Sequence, residues 1–263
     1  CVCSHASPFV GASRSVSAST LFSSSAMSSS YNVIQGDDLQ NYVSAVRGQS
    51  DSILLYNADD FAAGVDGDDR VVLGLGNDTL TIFNQTEQPG FAFSLDGALI
   101  YGDGFPNSAE GGSVSTPVGN DSIDITLPGR GPQTFLGVTR SLIDAGAGRD
   151  TIDGWSNISL STVAGGAGAD DIRWGYGITI NSDRVSSVIT EGLFEGGLGS
   201  DSILVEANAV RNTTIWGADA SQGANDGSDQ IAVSGYVGTN ELVNVEVEQL
   251  TINANAGDDT IEV

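Results

Sequence analysis

The sequence predicts an all-β chain wound as a parallel β-helix, or β-solenoid, and three observations predict it. A short pattern of Gly, any residue, Asp, any residue and then Ile, Val or Leu recurs along the chain. Segments between the copies alternate apolar and polar residues, as in Thr79-Leu80-Thr81-Ile82-Phe83, Ile178-Thr179-Ile180 and Val245-Glu246-Val247-Glu248. No window carries sustained helical periodicity with caps; the weak exception is Asp38 to Val46.

The pattern occurs eight times. Its copies start at Gly67, Gly76, Gly119, Gly148, Gly168, Gly199, Gly227 and Gly257, and their acids are Asp69, Asp78, Asp121, Asp150, Asp170, Asp201, Asp229 and Asp259. Gly36-Asp37-Asp38 is a weaker echo without the aliphatic residue. Two copies extend upstream to a full nonapeptide, Gly165 to Arg173 and Gly196 to Leu204. Successive acids are 9, 43, 29, 20, 31, 28 and 30 residues apart. Only the first pair has the nine-residue step of a tandem nonapeptide. Most other steps cluster at 28–31 residues, which predicts one motif per coil of a larger, three-sided helix. The step of 43 requires an inserted loop, placed at Gly90 to Thr116.

Gly165-Gly166-Ala167-Gly168-Ala169-Asp170-Asp171-Ile172-Arg173 resembles the RTX, or haemolysin-type, calcium-binding repeat at every defined position. The resemblance covers residues 64–263. It implies that loops of successive coils stack with calcium between them, several ions per chain. The metal ligands it implies are the carboxylates of Asp69, Asp78, Asp121, Asp150, Asp170, Asp201, Asp229 and Asp259, one corner of each coil. It also implies carbonyl oxygens from Gly67, Gly76, Gly168 and Gly199. The residue types suit that chemistry. Glycine allows a positive-φ turn, and calcium takes six to eight hard oxygen ligands. The competing reading is a glycine-rich turn with a local Asp and no metal. It is strongest at Gly148-Arg149-Asp150, with its cationic residue, and at Gly119 and Gly257, which lack an upstream glycine pair.

Composition agrees with a cation partner and excludes others. The 263 residues carry 34 acids against 9 bases, all Arg, for a net charge of −25. Such a surface repels phosphate backbones, so nucleic acid is excluded as a partner. No apolar run approaches the ~18 residues of a membrane-spanning helix. Disorder is not the default, because 40% of residues are hydrophobic. The single histidine, His5, rules out a histidine-dependent triad within one chain. Cys1 and Cys3 are the only cysteines, so the body carries no internal disulfide; Cys1 offers a site for a lipid anchor.

Two regions follow: a Ser-rich N-terminal tail, 1–30, with 12 Ser, and a solenoid over 31–263. The motif that ends at Thr260-Ile261-Glu262-Val263 has no capping segment after it, which predicts head-to-tail stacking into a homo-oligomer or polymer. The functional expectation is an extracellular or cell-surface structural protein, a subunit of a filament, sheath or surface layer. The alternatives are an adhesin or secretion module of a longer RTX protein, and a polysaccharide lyase or epimerase. The enzyme reading would draw on Arg173, Trp174, Tyr176, Asp183 and Arg184.

Overall fold

The computed structural model describes residues 14–15, 31–82, 92–103, 119–125, 134–175, 179–180, 183–184, 187–218, 227–235 and 246–263. Every regular element among them is a strand. Two large sheets, of ten and fourteen strands, hold nearly all of them, and every pairing within these sheets is parallel. Asn41–Ser44, where a weak helix was conceivable, is a strand with Asn41 and Val43 inside and Tyr42 and Ser44 outside. The period-2 placement of Val43 and Ala45 outweighs the local helical pattern.

Register explains the motif's aliphatic residue. In the ten-stranded sheet Val43, Ala62, Leu80, Ile123, Ile152, Ile172, Ile203 and Ile231 pair successively. They form a single buried file along the solenoid. A second file in the fourteen-stranded sheet runs Ile34, Ile53, Val71, Ile100, Ile143, Val163, Phe194 and Ile215. Both files belong to one hydrophobic core. Each such aliphatic side chain contributes roughly 1.5–3 kcal/mol by leaving water.

The fourteen-stranded sheet contains two rows of strands joined through the long strands Ala209–Trp216 and Glu246–Asn253. One row, the second face, runs from Asn32–Gln35 through Leu99–Tyr101 and Thr162–Gly168 to Leu193–Leu198; the other, the third face, begins at Ala92–Asp96 and continues through Thr134–Thr139, Ile158–Ser159 and Val188–Thr190. Coils before residue 82 lack it. The solenoid therefore changes along its axis, from two rows of strands to three.

Coil length follows from that change. Asn41, Asp60 and Asp78 occupy the same position in successive coils 19 and 18 residues apart. The shortest three-row coil, Asp150 to Asp170, takes 20. The 28–31-residue coils carry extra residues within that frame; one such addition pairs Thr179–Ile180 antiparallel to Asp183–Arg184. The expected insertion at Gly90 to Thr116 is only in part a loop. Its first residues form strands Ala92–Asp96 and Leu99–Tyr101, which found the third face and continue the second. Residues 104–118 lie outside the described ones. From the Ser-rich region, Arg14–Ser15 pairs in parallel with Asn41 and Tyr42, adding a strand to the ten-stranded sheet. Among the described residues no helix is long and apolar enough to cross a membrane.

From Gly119 to Gly199 the glycines two residues before the motif Asp stack directly. A Cβ at Gly119, Gly148, Gly168 or Gly199 would overlap the carbonyl oxygen of the glycine one coil earlier. By contrast Gly67, with φ 59°, has open space where a Cβ would stand. Gly168→Ala is expected to lose more than about 3 kcal/mol by clash with backbone. Gly67→Ala is expected to lose only the left-handed penalty of about 1–2 kcal/mol. Urea denaturation of the two variants checks the difference.

Candidate functional site

Each coil turns from the second face into the ten-stranded sheet at a glycine-lined corner, and the motif Asp stands there with its side chain inward. The backbone ladder of the sheet starts at the carbonyl of this residue: Ser122 N–H donates to Asp78, Thr151 to Asp121, and Asp171 to Asp150. The Asp's own N–H has no such carbonyl opposite it. It donates instead to the carboxylate of the Asp in the following coil. Asp60 N–H reaches Asp78 Oδ1 at 2.7 Å, Asp78 reaches Asp121 at 2.9 Å, and Asp121 reaches Asp150 at 2.7 Å. The file continues through Asp170, Asp201 and Asp229 to Asp259. An acceptor one methylene from the backbone is what this amide needs, and Asp provides it.

Oδ1 is thus occupied along the file. The Oδ2 atoms of Asp60, Asp78, Asp121, Asp150 and Asp170 are buried with no hydrogen-bond partner. These five residues are almost wholly shielded from solvent, at 3% exposure or less. The first motif glycine packs against this oxygen. A Cβ at Gly165 would stand 2.7 Å from Asp170 Oδ2, and one at Gly196 2.5 Å from Asp201 Oδ2. The same relation holds between Gly102 and Asp121, and between Gly217 and Asp229. Chain inserted between those glycines and their Asp hides the motif in the sequence without disturbing it in space.

Burial governs the charge state of the file. Desolvation pushes Asp78, Asp150 and Asp170 up to about 7, in each case against one lowering backbone hydrogen bond. Asp121 rises to about 9, with Asp78, Asp150 and Asp103 adding like charge. Asp103 is a neighbour the motif does not contain. It stands where later coils have glycine, accepts the Ala147 N–H through Oδ2 at 2.5 Å, and keeps Oδ1 buried without a partner. Desolvation lifts it to about 6, and Asp144 lies close enough to add to that. No signal in the sequence marks Asp103 apart from its place 18 residues before Asp121.

Asp69 is elsewhere. It aligns with Asn32, Asp51, Ala98, Ser141, Ser161, Gly192, Thr213 and Leu250 at the opposite corner, where the chain enters the second face. The step of 9 to Asp78 is therefore half a coil, and the eight motif acids do not share one corner. Seven of them do, joined by Asp60, which the motif search misses because Ala58 replaces its glycine and Ala62 its larger aliphatic residue. Both oxygens of Asp69 are used, Oδ1 by Asp51 N–H at 2.8 Å and Oδ2 by Asp66 N–H at 2.9 Å. Desolvation still raises it to about 7.

The predicted carbonyl donors divide in the same way. Gly76, Gly168 and Gly199 line the first corner, and the Gly199 carbonyl also accepts Gly227 N–H. Gly67 lies at the opposite corner. Its N–H donates to Ser94 and its carbonyl accepts Asp96 N–H, both at 2.7 Å, so it seats the first strand of the third face.

Fit to a cation was tested on these atoms. The acids stand in single file, and among the described residues no three acidic, histidine or cysteine side chains converge as a metal cluster. What fits is the desolvated, unpartnered Oδ2 of Asp60, Asp78, Asp121, Asp150 and Asp170, beside glycine backbone in most coils, a donor set that would be completed by carbonyls. The sugar-site reading draws on Trp174 and Tyr176 for its aromatic shelf. Trp174 is fully buried, packs edge-on against Phe194 and donates its indole N–H to the Ser156 carbonyl. Tyr176 lies outside the described residues.

No protein-family model matches the chain, and no curated protein or solved structure matches it.

The folded-state values of Asp78, Asp121, Asp150 and Asp170 exceed the ordinary 3.8, so the fold prefers their protonated form. Their stabilising contribution is complete below about pH 4 and is lost as pH rises through about 7 and then about 9. The melting temperature of the chelated protein is therefore expected to fall from about pH 5 to about pH 9. Scanning calorimetry in EDTA checks it, and a rise across that window would contradict the assignment.

Proposed function

We propose that the chain is an extracellular, calcium-stabilised β-solenoid with a structural role, in which cation binding is coupled to folding. The supporting observation is a contrast between two corners of the same coils. At the opposite corner Asp69 meets the Asp51 amide, but in the three-row coils neutral hydroxyls take over: Ala98 N–H donates to Ser141 Oγ and Ser141 N–H to Ser161 Oγ, each at 3.1 Å. At the first corner carboxylates do the same task from Asp60 to Asp259, without one neutral replacement. A hydrogen bond to one amide does not require a charge, and a buried charge without a counterion is costly. A cation along the file accounts for the acids.

Calcium suits the donors, hard carboxylate and carbonyl oxygens with no nitrogen or sulfur among them. The residues that would hold it are Asp78, Asp121, Asp150, Asp170, Asp201, Asp229 and Asp259, with carbonyls from Gly76, Gly168 and Gly199. Coupled binding places the folded state outside the cell. At low calcium a chain of charge −25 repels itself. At the millimolar levels for which weak extracellular sites are tuned, the file is neutralised and the coils close. A rod of stacked parallel strands is a repeat that a second copy can extend, which fits a subunit of a filament, sheath or surface layer.

Calorimetric titration of the chelated full chain with calcium is expected to show several ions per chain. Each site should add about 2.7 kcal/mol at a hundredfold excess over its Kd, read as a rise in melting temperature. Light scattering in the same titration reports assembly. An unchanged melting temperature with no ion uptake contradicts the calcium reading, and a monomer at saturating calcium contradicts the polymer.

A further inference from the structure

The eight repeats recognisable in the sequence are not equivalent at the level of atoms, and their difference falls at the N-terminal end of the file. We infer that Asp60, which lies in no recognisable motif, is a cation ligand of the first-corner file, and that Asp69, which lies in a good motif, is not. This rests on the calcium reading above and reassigns its N-terminal boundary.

Three observations separate the two residues. The first is position. Asp60 lies in register with Asp78 and hydrogen-bonds to it in the way every later pair does. Asp69 lies half a coil away, in register with Asp51 before it and Ala98 after it. A cation held between coils needs an oxygen from each; Asp69 has Ala98 on its C-terminal side, and Ala98 offers no side-chain oxygen.

The second is valence. Asp60 has Oδ1 taken by the backbone and side-chain amides of Asn41, at 2.6 and 3.1 Å; the Tyr56 backbone amide lies near the carboxylate and favours its charge, but the buried Oδ2 has no partner in hydrogen-bonding geometry. Asp69 has one backbone amide on each oxygen. Asp51, its neighbour in the same file, is also saturated, by Asn32 Nδ2 at 2.9 Å and Val46 N–H at 2.5 Å. A carboxylate with both oxygens held by N–H groups is a backbone staple.

The third is the local backbone. Gly67, the glycine of the Asp69 motif, pairs through both its N–H and its carbonyl with Ser94 and Asp96. That copy of the motif builds the ledge on which the third face starts. Asn41 in turn ends the acidic file, since it occupies the position one coil before Asp60 with a neutral side chain.

The test compares Asp60→Asn, Asp69→Asn and, as a positive control, Asp78→Asn in the full chain. Calcium uptake is measured by equilibrium dialysis, and melting temperature with and without calcium. Asp60→Asn and Asp78→Asn are each expected to lose about one ion per chain and part of the calcium-induced rise. Asp69→Asn is expected to melt lower in EDTA and in calcium alike, with uptake and calcium-induced rise unchanged. Should Asp60→Asn not fold, Asp60→Ser keeps an acceptor for Asn41 N–H, as Ser141 does at the other corner, and carries the same expectation. Loss of an ion in Asp69→Asn, or full uptake in the folded Asp60 variant, overturns the assignment and leaves the calcium reading standing. No uptake by the unmodified chain overturns both.

Discussion

Each coil of this solenoid is joined to the next, at its first corner, by an amide that donates to the carboxylate of the following Asp. That bond satisfies the first strand N–H for which the neighbouring coil offers no carbonyl. It also sets the strand register, because the aliphatic residue two positions on can enter the core only when the Asp is in line. The consequence is electrostatic. Coils repeat about every 4.8 Å, so a corner built on Asp stacks like charges in a desolvated line. Ionising that line without a counter-charge opposes the folded state.

The opposite corner shows how the fold escapes the same condition. In the two-row coils it too is built on Asp, at Asp51 and Asp69. Where the third face begins, the chain reaches this corner from a new direction, through a residue in the left-handed region. Gly97, Arg140, Leu160, Glu191, Asn212 and Gln249 have φ between 47° and 83°. The position after them becomes Ala98, Ser141, Ser161, Gly192, Thr213 and Leu250; the hydroxyls of Ser141, Ser161 and Thr213 donate to carbonyls, and those of Ser141 and Ser161 also accept amides. Five of the six left-handed residues are not glycine. Each departs from the usual preference by about 1–2 kcal/mol, a cost the packed rows on either side sustain. The acidic file is confined to one corner by this turn geometry.

Much of the fold was legible in sequence because a solenoid repeats one local decision. Gly168, Asp170 and Ile172 have fixed spacing, and each does the same thing in every coil: close backbone approach, amide acceptor, core residue. The motif is also a two-residue clock, so its misreadings are physical. Asp69 matches the spacing at a corner with different partners. Asp60 lacks the glycine because Ala58 stands where Gly76 stands one coil later. Gly102 and Gly217 keep their places against Asp121 and Asp229 although chain has been inserted between them.

By itself the sequence determined the class of fold and the spacing of glycine, Asp and aliphatic residue at the repeated corner, since both depend on residues only a few positions apart. Which acids share a corner, where two rows of strands become three, and which carboxylate oxygens remain without a partner were decided by tertiary structure alone. The reason is that coil length is not encoded in the motif. Steps of 18, 20 and 43 residues place their acids in the same file, whereas a step of 9 does not, and only the parallel pairing of whole coils distinguishes them.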